Sequence, residues 1–394
     1  MRRVCTLATI LILCPTTITV AQTTIEGPTV KVITNVDYVF NGNGGGLPTA
    51  AVIEDAAGSL YGTTSTGGSG FGVVFKLDAA HHESVLHAFS GPDGRFPRGS
   101  LVSDRFGNLY GTTSFGGDSD LGTVFKIDPN GRESVLLSFA GSPDGRNPYA
   151  GLVMDAAGNL YGTTEFGGTS DLGTIFQIDT IGRQRVLHSF TGESTDGSDP
   201  KAGLIVDSAG NLYGTTFAGG SDGRGTVFRF DTKQNTEVVL YNFSGGADGG
   251  NPLGGITRAS DGTLYGTTAN YGCCHKRGDS GVVFSLNGTN QQVLYTFTGG
   301  VDGGMPSGDL VLSNNVLYGT TRLGGPGHRG TAFSLCLADG LETVLHGFTG
   351  KTDGGSPQAG LSMNAAGVLY GTTITGGSFM KGTVFHLQSF SCRK

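Results

Sequence analysis

Apolar and polar residues alternate in short runs along most of the chain, and turns rich in glycine, aspartate and asparagine separate the runs. Alternation with a period of two is typical of β-strands that bury one face, and no segment carries a sustained helical period. The phrase LYGTT recurs seven times, each time before a glycine-rich loop and then GTVF or a near variant. The seven copies begin at Leu60, Leu109, Leu160, Leu212, Leu264, Leu317 and Leu369.

Each repeat contains four predicted strands. In the third copy they are GLVMD, NLYGTT, GTIFQID and RVLHSF, joined by two tight turns and one longer loop. The copies are spaced by 49 to 53 residues, a period that is typical of propellers and solenoids. Four antiparallel strands in each of seven repeats predict an all-β fold, a seven-bladed β-propeller of four-stranded antiparallel blades.

The two ends of the repeat region predict how the ring closes. Residues 31–40, KVITNVDYVF, look like the fourth strand of a repeat, but no first three strands precede them. The last repeat, residues 358–390, stops after its third strand. We therefore expect the N-terminal strand to complete the last blade, which removes two exposed sheet edges.

The composition agrees with this architecture. Glycine accounts for 71 of the 394 residues without falling at every third position, which excludes collagen. We expect small residues along the central channel, and the large apolar side chains of GTVF and of the fourth strands between neighbouring blades. A proline precedes each first strand, where its missing N–H costs least, at Pro48, Pro97, Pro148, Pro200, Pro252, Pro306 and Pro357.

The extended repeat, LYGTT, then GTVF, then VL.SF.G..DG..P..GL, resembles the GloVer repeat, which occurs in tandem in bacterial extracellular proteins described as "choice-of-anchor". The resemblance covers about residues 31–390. It implies an exported repeat protein and says little about activity.

The N-terminus predicts export independently. Residues 1–21 contain two arginines, an apolar run and a small-residue cleavage site, as a secretory signal does. Residues 22–394 would then form the mature protein, a single propeller that we expect to be secreted or periplasmic and monomeric. No later stretch is long and apolar enough for a membrane helix.

Charge excludes one class of partner. Without Arg2 and Arg3 of the leader, 23 basic residues face 32 acidic ones, a net charge of −9. Such a protein repels nucleic acid and anionic membranes at long range. Four cysteines remain in a compartment where disulfides can form, and their pairing is open: Cys273, Cys274, Cys336 and Cys392.

Strand alternation predicts a functional face. The loops between the second and third strands and the loops between blades should share one face, here called the loop face, and such variable loops on a rigid scaffold carry function. The fifth copy has the longest loop, ANYGCCHKRGDSG at residues 269–281. On blades 4 to 7 these loops carry an excess of basic residues, in a basic crescent: Arg224, His275, Lys276, Arg277, Arg322, His328, Arg329 and Lys381. Blades 2 and 3 carry acidic residues instead: Asp118, Asp120, Glu165 and Asp171.

The basic crescent is our candidate ligand site, because guanidinium groups pair with the carboxylates or sulfates of an acidic sugar. Phe115, Phe166, Phe217 and Tyr271 could pack against sugar rings. The alternative is that the long fifth loop is a solvated insertion without function.

Two further chemistries are open. In an enzyme acting on an anionic polysaccharide, His275, His328 or Tyr271 would move the proton of a lyase, and a glycosidase would need two carboxylates. Six aspartates in DG pairs of the blade-to-blade loops could bind Ca²⁺, although repeated Asx turns explain them as well. Cys273, Cys274 and His275 are too few for a metal site, so we predict no metal centre or cofactor.

These observations favour a secreted binding or scaffold module that recognises extracellular glycan or protein through its loop face. The alternatives are a polysaccharide lyase or glycoside hydrolase, and a purely structural repeat protein.

Overall fold

The repeats fold into seven antiparallel sheets arranged as a ring, a seven-bladed β-propeller, in a computed structural model of the chain. This confirms the predicted fold class. The structure describes residues 34–272, 280–389 and 392. The predicted signal at residues 1–21 and the residues Cys273, Cys274, His275, Lys276 and Arg277 lie outside them. No helix in the described part of the chain is long and apolar enough to cross a membrane.

The strands follow the same order in every blade, with one strand borrowed from the N-terminus. The N-terminal strand is β1 (Thr34–Val39). Blade 1 contains β2 (Ile53–Glu54), β3 (Leu60–Thr64), β4 (Val73–Leu77) and β5 (Glu83–Ala88). Blade 2 contains β6 (Val102–Ser103), β7 (Leu109–Thr113), β8 (Thr123–Ile127) and β9 (Glu133–Ser138). Blade 3 contains β10 (Val153–Met154), β11 (Leu160–Thr164), β12 (Thr174–Ile178) and β13 (Gln184–Ser189).

Blade 4 follows a short strand β14 (Gly197–Ser198) and contains β15 (Ile205–Val206), β16 (Asn211–Thr216), β17 (Ala218–Gly219), β18 (Thr226–Asp231) and β19 (Thr236–Asn242). Blade 5 contains β20 (Thr257–Arg258), β21 (Leu264–Thr268), β22 (Val282–Asn287) and β23 (Asn290–Thr296). Blade 6 contains β24 (Gly304–Pro306), β25 (Val311–Ser313), β26 (Val316–Leu323), β27 (Thr331–Cys336) and β28 (Glu342–Gly347). Blade 7 contains β29 (Ser362–Met363), β30 (Val368–Thr373) and β31 (Thr383–Gln388). The additional strand β14 pairs with β17, which directly follows β16, and β24 pairs with the end of β26.

The N-terminal strand completes the last blade, as the sequence predicts. The sheet order is β1-β31-β30-β29, and β1 runs antiparallel to β31 with Val36 opposite Phe385. The first and last strands of the propeller thus hydrogen-bond each other, so that the edge of β31 that faces β1 is paired.

Large side chains fill the space between blades. Phe89, the residue after the fourth strand of blade 1, packs edge-on against Phe125 of the third strand in blade 2, with ring centroids 5.1 Å apart. Both rings are fully buried, and each such side chain stabilises the fold by about 1.5–3 kcal/mol. The glycine of LYGTT makes room for the third-strand ring, since a Cβ on Gly111 would lie 2.5 Å from the Phe125 ring.

The threonines of LYGTT have a more specific role than small size. The hydroxyl of Thr112 donates to the carbonyl of Ala150 in the next blade at 2.7 Å, and most blades repeat this bond. The last threonine pairs with the threonine of GTVF, as Thr113 does with Thr123 at 2.8 Å. In most blades the repeated phrase therefore links the blade to the next one and the second strand to the third.

Candidate functional site

Both predicted sets of loops lie on one face, as expected. Backbone bridges join each blade-to-blade loop to the loop between the second and third strands of the following blade, for example Arg95 with Phe115 and Arg146 with Phe166. A second bond connects blades, because the amide of Asn251 donates to the carbonyl of Arg224 at 2.7 Å. Ser356 donates to Arg329 and Leu47 to Lys381 in the same way. The backbone of the basic crescent is thus held by the neighbouring blade.

Three basic side chains occupy equivalent places on blades 4, 6 and 7. Arg224, Arg329 and Lys381 are exposed, and each lays its aliphatic stem over a glycine of the next loop. A Cβ on Gly350 would lie 3.0 Å from the Cγ of Arg329, so the glycine leaves room for the stem. The guanidinium of Arg224 also stacks over the ring of Tyr271 at 4.8 Å. Within the described ranges, none of the three cations has a carboxylate within ion-pair distance.

Blade 6 contributes two more candidates from the same loop. Arg322 is half-buried near the end of β26, and His328 is exposed with a left-handed backbone, φ 56°. Arg322, His328 and Arg329 therefore come from one segment of eight residues, from the end of β26 to the loop before Gly330. The remaining members of the crescent, His275, Lys276 and Arg277, lie outside the described residues.

The acidic loops of blades 2 and 3 are paired locally. Arg95 contacts Asp120 at 2.5 Å, and Arg146 contacts Asp171 at 2.8 Å. Lys201 contacts Glu165 at 3.2 Å. Asp118 is exposed and has no ion pair among the described residues. This side carries no unpaired cation of its loops, so the unpaired positive charge of the loop face belongs to blades 4, 6 and 7 in the part of the chain that the structure describes.

The aromatic candidates have cations over their rings. Arg95 lies 5.3 Å from the ring centre of Phe115, and Arg146 lies 4.7 Å from that of Phe166. Lys201 lies 4.3 Å from the ring centre of Phe217. These rings are half-buried and lie against the cations of the three ion pairs. A sugar ring would have to displace the cation in order to stack there.

The DG aspartates lie near the outermost strands and not around the channel. Asp93 accepts hydrogen bonds from the amide of Ser90 and from His87 of β5, both at 2.8 Å. Asp248 accepts from Ser244 and from Tyr241 of β19 in the same manner. These are capping bonds of the loop, in line with the Asx-turn explanation. The hairpin aspartates do the same, since Asp155 accepts from the amides of Ala157 and Asn159.

A glutamate of the next blade joins the aspartate at two interblade contacts. Ligand-type atoms of His188, Asp196 and Glu237 lie within 4.8 Å of one another, as do those of His87, Asp93 and Glu133. Either cluster offers the atoms that a divalent cation needs.

Protonation offers a simpler explanation of these clusters. Burial, and then the charge of Asp196, raise the pKa of Glu237 to about 7. Blades 3 and 5 carry the neutral side chains Gln184 and Gln291 at the same place. Two blades thus carry glutamine at this position, and blade 4 carries a glutamate whose pKa is raised. The position is therefore suited to an uncharged side chain.

The central channel contains a set of residues that the sequence analysis missed. A cavity of about 200 Å³ is lined by the segment that follows the proline of every blade. The first residue after the proline differs in all seven blades: Thr49, Arg98, Tyr149, Lys201, Leu253, Ser307 and Gln358. The second residue is always alanine or glycine. This contrast was visible in the sequence, but only the fold shows that the variable position lines a cavity.

The variable residues contact one another. Gln358 of blade 7 donates to the hydroxyl of Tyr149 in blade 3 at 3.1 Å, across the ring. Arg98 stacks on Tyr149 at 5.1 Å. The hydroxyl of Thr49 donates to the carbonyl of Arg98 at 3.4 Å.

One acid stands in this channel. Asp309 occupies the third position after the proline, where the other blades have glycine, alanine or serine. Its carboxylate accepts a 2.5 Å hydrogen bond from the amide of Gly255. The side chain is exposed to the cavity, although the blades surround it on all sides. This enclosure raises the pKa of Asp309, and the bond from Gly255 opposes the shift.

The fold and the loops together define a propeller module with one asymmetric charged face and a lined channel. The profile of the Gloeobacter/Verrucomicrobia repeat matches residues 19–205 and 184–385, so the chain belongs to that repeat family. This confirms the resemblance seen in the sequence. No curated protein matches the chain significantly.

Solved structures of similar fold come from other proteins. The extracellular domain of a proposed hybrid two-component system from B. thetaiotaomicron is 10% identical with a TM-score of 0.55, over 92% of this chain and 43% of that one. A proposed 6-phosphogluconolactonase from Bacteroides uniformis is 15% identical with a TM-score of 0.50, over 79% of this chain and 88% of that one. At such identities the likeness shows the fold alone.

Proposed function

We propose that the protein is an exported binding module that holds an acidic polysaccharide on its loop face. The observation that carries this proposal is the charge asymmetry of the ring. Arg224, Arg329 and Lys381 are exposed at equivalent places, and none has a carboxylate partner among the described residues. The equivalent places on blades 2 and 3 hold Leu121 and Leu172.

The spacing of these cations favours a polymer over a compact ligand. Arg329 and Lys381 sit on adjacent blades, and Arg224 sits two blades before Arg329. Single charges repeated around a rigid ring match a chain that repeats its own charge, such as a uronate or sulfated polysaccharide. Guanidinium groups pair bidentately with carboxylate and sulfate, and exposed loops allow a long chain to pass.

Export is part of the proposal. Residues 1–21 have the pattern of a secretory signal. Cys336 and Cys392 form a disulfide, a bond that persists in oxidising compartments such as the periplasm or the medium. Acidic polysaccharides are available to a protein in those places.

The proposal is tested by electrophoresis of the purified protein through gels that contain polygalacturonate, a sulfated glycan, or neutral dextran. We expect retardation by an acidic polymer and none by dextran, and the retardation should weaken with salt because the contacts are exposed. Equal migration in all gels would refute the proposal, as would equal retardation by dextran. Retardation by an acidic protein such as a polyglutamate carrier, without retardation by any acidic glycan, would show that the partner is a protein.

A further inference from the structure

The central channel holds two charged groups that its walls leave without a charged partner. The guanidinium of Arg98 stacks on Tyr149 and makes no hydrogen bond or ion pair with a residue that the structure describes. The carboxylate of Asp309 accepts one hydrogen bond, from Gly255, and its other oxygen has no partner in the described part of the chain. Both groups line the same cavity. Lys201 also lines the cavity, but it is paired with Glu165, and the loop-face cations Arg95 and Arg146 are paired as well.

The repeats themselves show that the cavity lining is special. Seven blades of one design carry alanine or glycine at the second position after the proline, because the next blade lies against it. A Cβ on Gly99, for example, would lie 2.3 Å from the backbone nitrogen of Gly151. The first position faces the cavity and carries seven different residues. Packing between blades therefore does not determine which residue stands at the first position. Each blade presents a different side chain to the cavity.

The size and polarity of the cavity limit the ligand. A cavity of about 150 Å³ holds a benzene molecule, so 200 Å³ accommodates one six-membered ring with its substituents. The hydroxyls of Thr49, Tyr149 and Ser307 and the amide of Gln358 offer hydrogen bonds around it. An apolar ring would leave the guanidinium of Arg98 and the second carboxylate oxygen of Asp309 without a hydrogen-bond partner among the described residues, which costs free energy.

We propose that the channel binds a single hydroxylated carboxylate of monosaccharide size, such as a hexuronate. The guanidinium of Arg98 pairs with the ligand carboxylate, and Asp309 and Gln358 receive or donate hydrogen bonds to its hydroxyls. A dianionic phosphate is a poorer match, because it brings a second negative charge into a channel that already contains Asp309. A metal ion is also a poorer match, because one carboxylate is too few ligands. This site is separate from the loop-face crescent and does not rest on the function proposed above.

The test is a calorimetric or saturation-transfer titration of the full mature protein with D-galacturonate, D-glucuronate and D-gluconate, with D-glucose and L-glutamate as comparisons. We expect one saturable site for at least one sugar acid, with glucose and glutamate much weaker. Arg98→Gln should weaken that binding by about tenfold or more, and Arg98→Lys should restore part of it, since lysine keeps the charge but loses the bidentate geometry. Asp309→Asn keeps an acceptor for Gly255 and should change the preference among hydroxyl patterns.

The matched control is Arg132→Gln, which removes an exposed arginine from a hairpin turn on the opposite face and should leave binding unchanged. Absence of saturable binding for all three acids at millimolar concentration would overturn the proposal. So would binding that Arg98→Gln leaves intact, or equal binding of glucose. Channel variants that keep their retardation by acidic polysaccharide would show that the two sites act separately. Loss of both in a variant that keeps its melting temperature would show that polysaccharide binding also depends on the channel, and would contradict two separate sites.

Discussion

The hydroxyl of Tyr38 donates a 2.5 Å hydrogen bond to the carboxylate of Glu83. Tyr38 lies on β1, which completes blade 7, and Glu83 begins the outermost strand of blade 1, so the bond crosses the seam where the ring closes. Burial of the phenol, followed by this bond and the charge of Glu83, raises the pKa of Tyr38. Phe40 follows in the same seam and packs against Phe75 with ring centroids 5.1 Å apart.

The seam predicts that β1 is essential for a stable ring. Deleting residues 22–40 removes β1 and the buried ring of Phe40, whose loss alone is comparable to a Phe→Ala change of about 3–5 kcal/mol. We expect a large fall in the melting temperature, which differential scanning calorimetry measures. Deleting residues 22–32 leaves β1 in place and is the control. If both truncated proteins melt at the same temperature, the N-terminal strand does not close the ring.

Channel packing predicts a sharp difference between two glycines. A Cβ on Gly99 would meet the backbone of Ala150 and Gly151 at 2.4 and 2.3 Å, whereas a Cβ on Gly203 meets nothing within 4 Å. Gly99→Ala should destabilise the protein by about 1–3 kcal/mol or more, because backbone cannot move aside as a side chain can. Gly203→Ala should be nearly neutral. Urea denaturation of both variants gives the comparison, and equal midpoints would contradict the close approach of the blades.

The fold was largely predictable because the same strand pattern occurs in all seven copies of the repeat. LYGTT and GTVF fix two strands per blade, and the surplus strand around Tyr38 indicates the closure. The roles of individual residues were less accessible. The glycine of LYGTT could be read as a small residue, but its reason is the Phe125-type ring beneath it. That contact joins residues on two strands, so it appears only when the register is known.

The candidate site was only partly predictable. The basic excess on blades 4 to 7 could be counted along the chain, and its exposure is as expected for Arg224, Arg329 and Lys381. The pairing of Arg146 with Asp171 joins residues 25 positions apart on different loops, so the sequence could suggest but not establish it. The channel residues were missed because a single variable position after each proline carries no motif.

Glu237 predicts a pH dependence of stability. Its pKa in the fold is about 7, above the ordinary glutamate value of 4.5, because of burial and the nearby charge of Asp196, which His188 partly offsets. A carboxyl with a higher pKa in the folded state binds more protons when folded. Its contribution to stability is therefore complete below about pH 4.5 and is lost as the pH rises through 7.

Glu237→Gln should consequently stabilise the protein at pH 8, by about 1 kcal/mol after solvent screening is allowed for, and should gain little at pH 5. Gln184→Glu is the reciprocal variant at the equivalent place of blade 3 and should lose stability at pH 8. Thermal melts at the two pH values test both. A gain for Glu237→Gln that is equal at pH 5 and pH 8 would argue against the raised pKa.

The disulfide predicts a redox dependence of stability. Cys336 of β27 is bonded to Cys392, 56 residues later. Closing a loop of that length stabilises a fold by about 4 kcal/mol in the chain-entropy account. The double variant Cys336→Ser and Cys392→Ser should melt lower than the oxidised protein and should be insensitive to reductant. Identical melting of the wild-type protein with and without reductant would show that the bond contributes little.

The most direct measurement compares two triple variants in binding to the acidic polysaccharide that retards the protein. The first, Arg224→Gln with Arg329→Gln and Lys381→Gln, removes three cations from the loop face. The second, Arg132→Gln with Arg183→Gln and Lys233→Gln, removes three exposed cations from the hairpin turns of the opposite face, so the net charge changes equally. We predict that the first variant loses most of its retardation and that the second migrates like the wild-type protein. Equal loss in both would mean that overall charge governs binding, and full retention in the first would contradict a loop-face site.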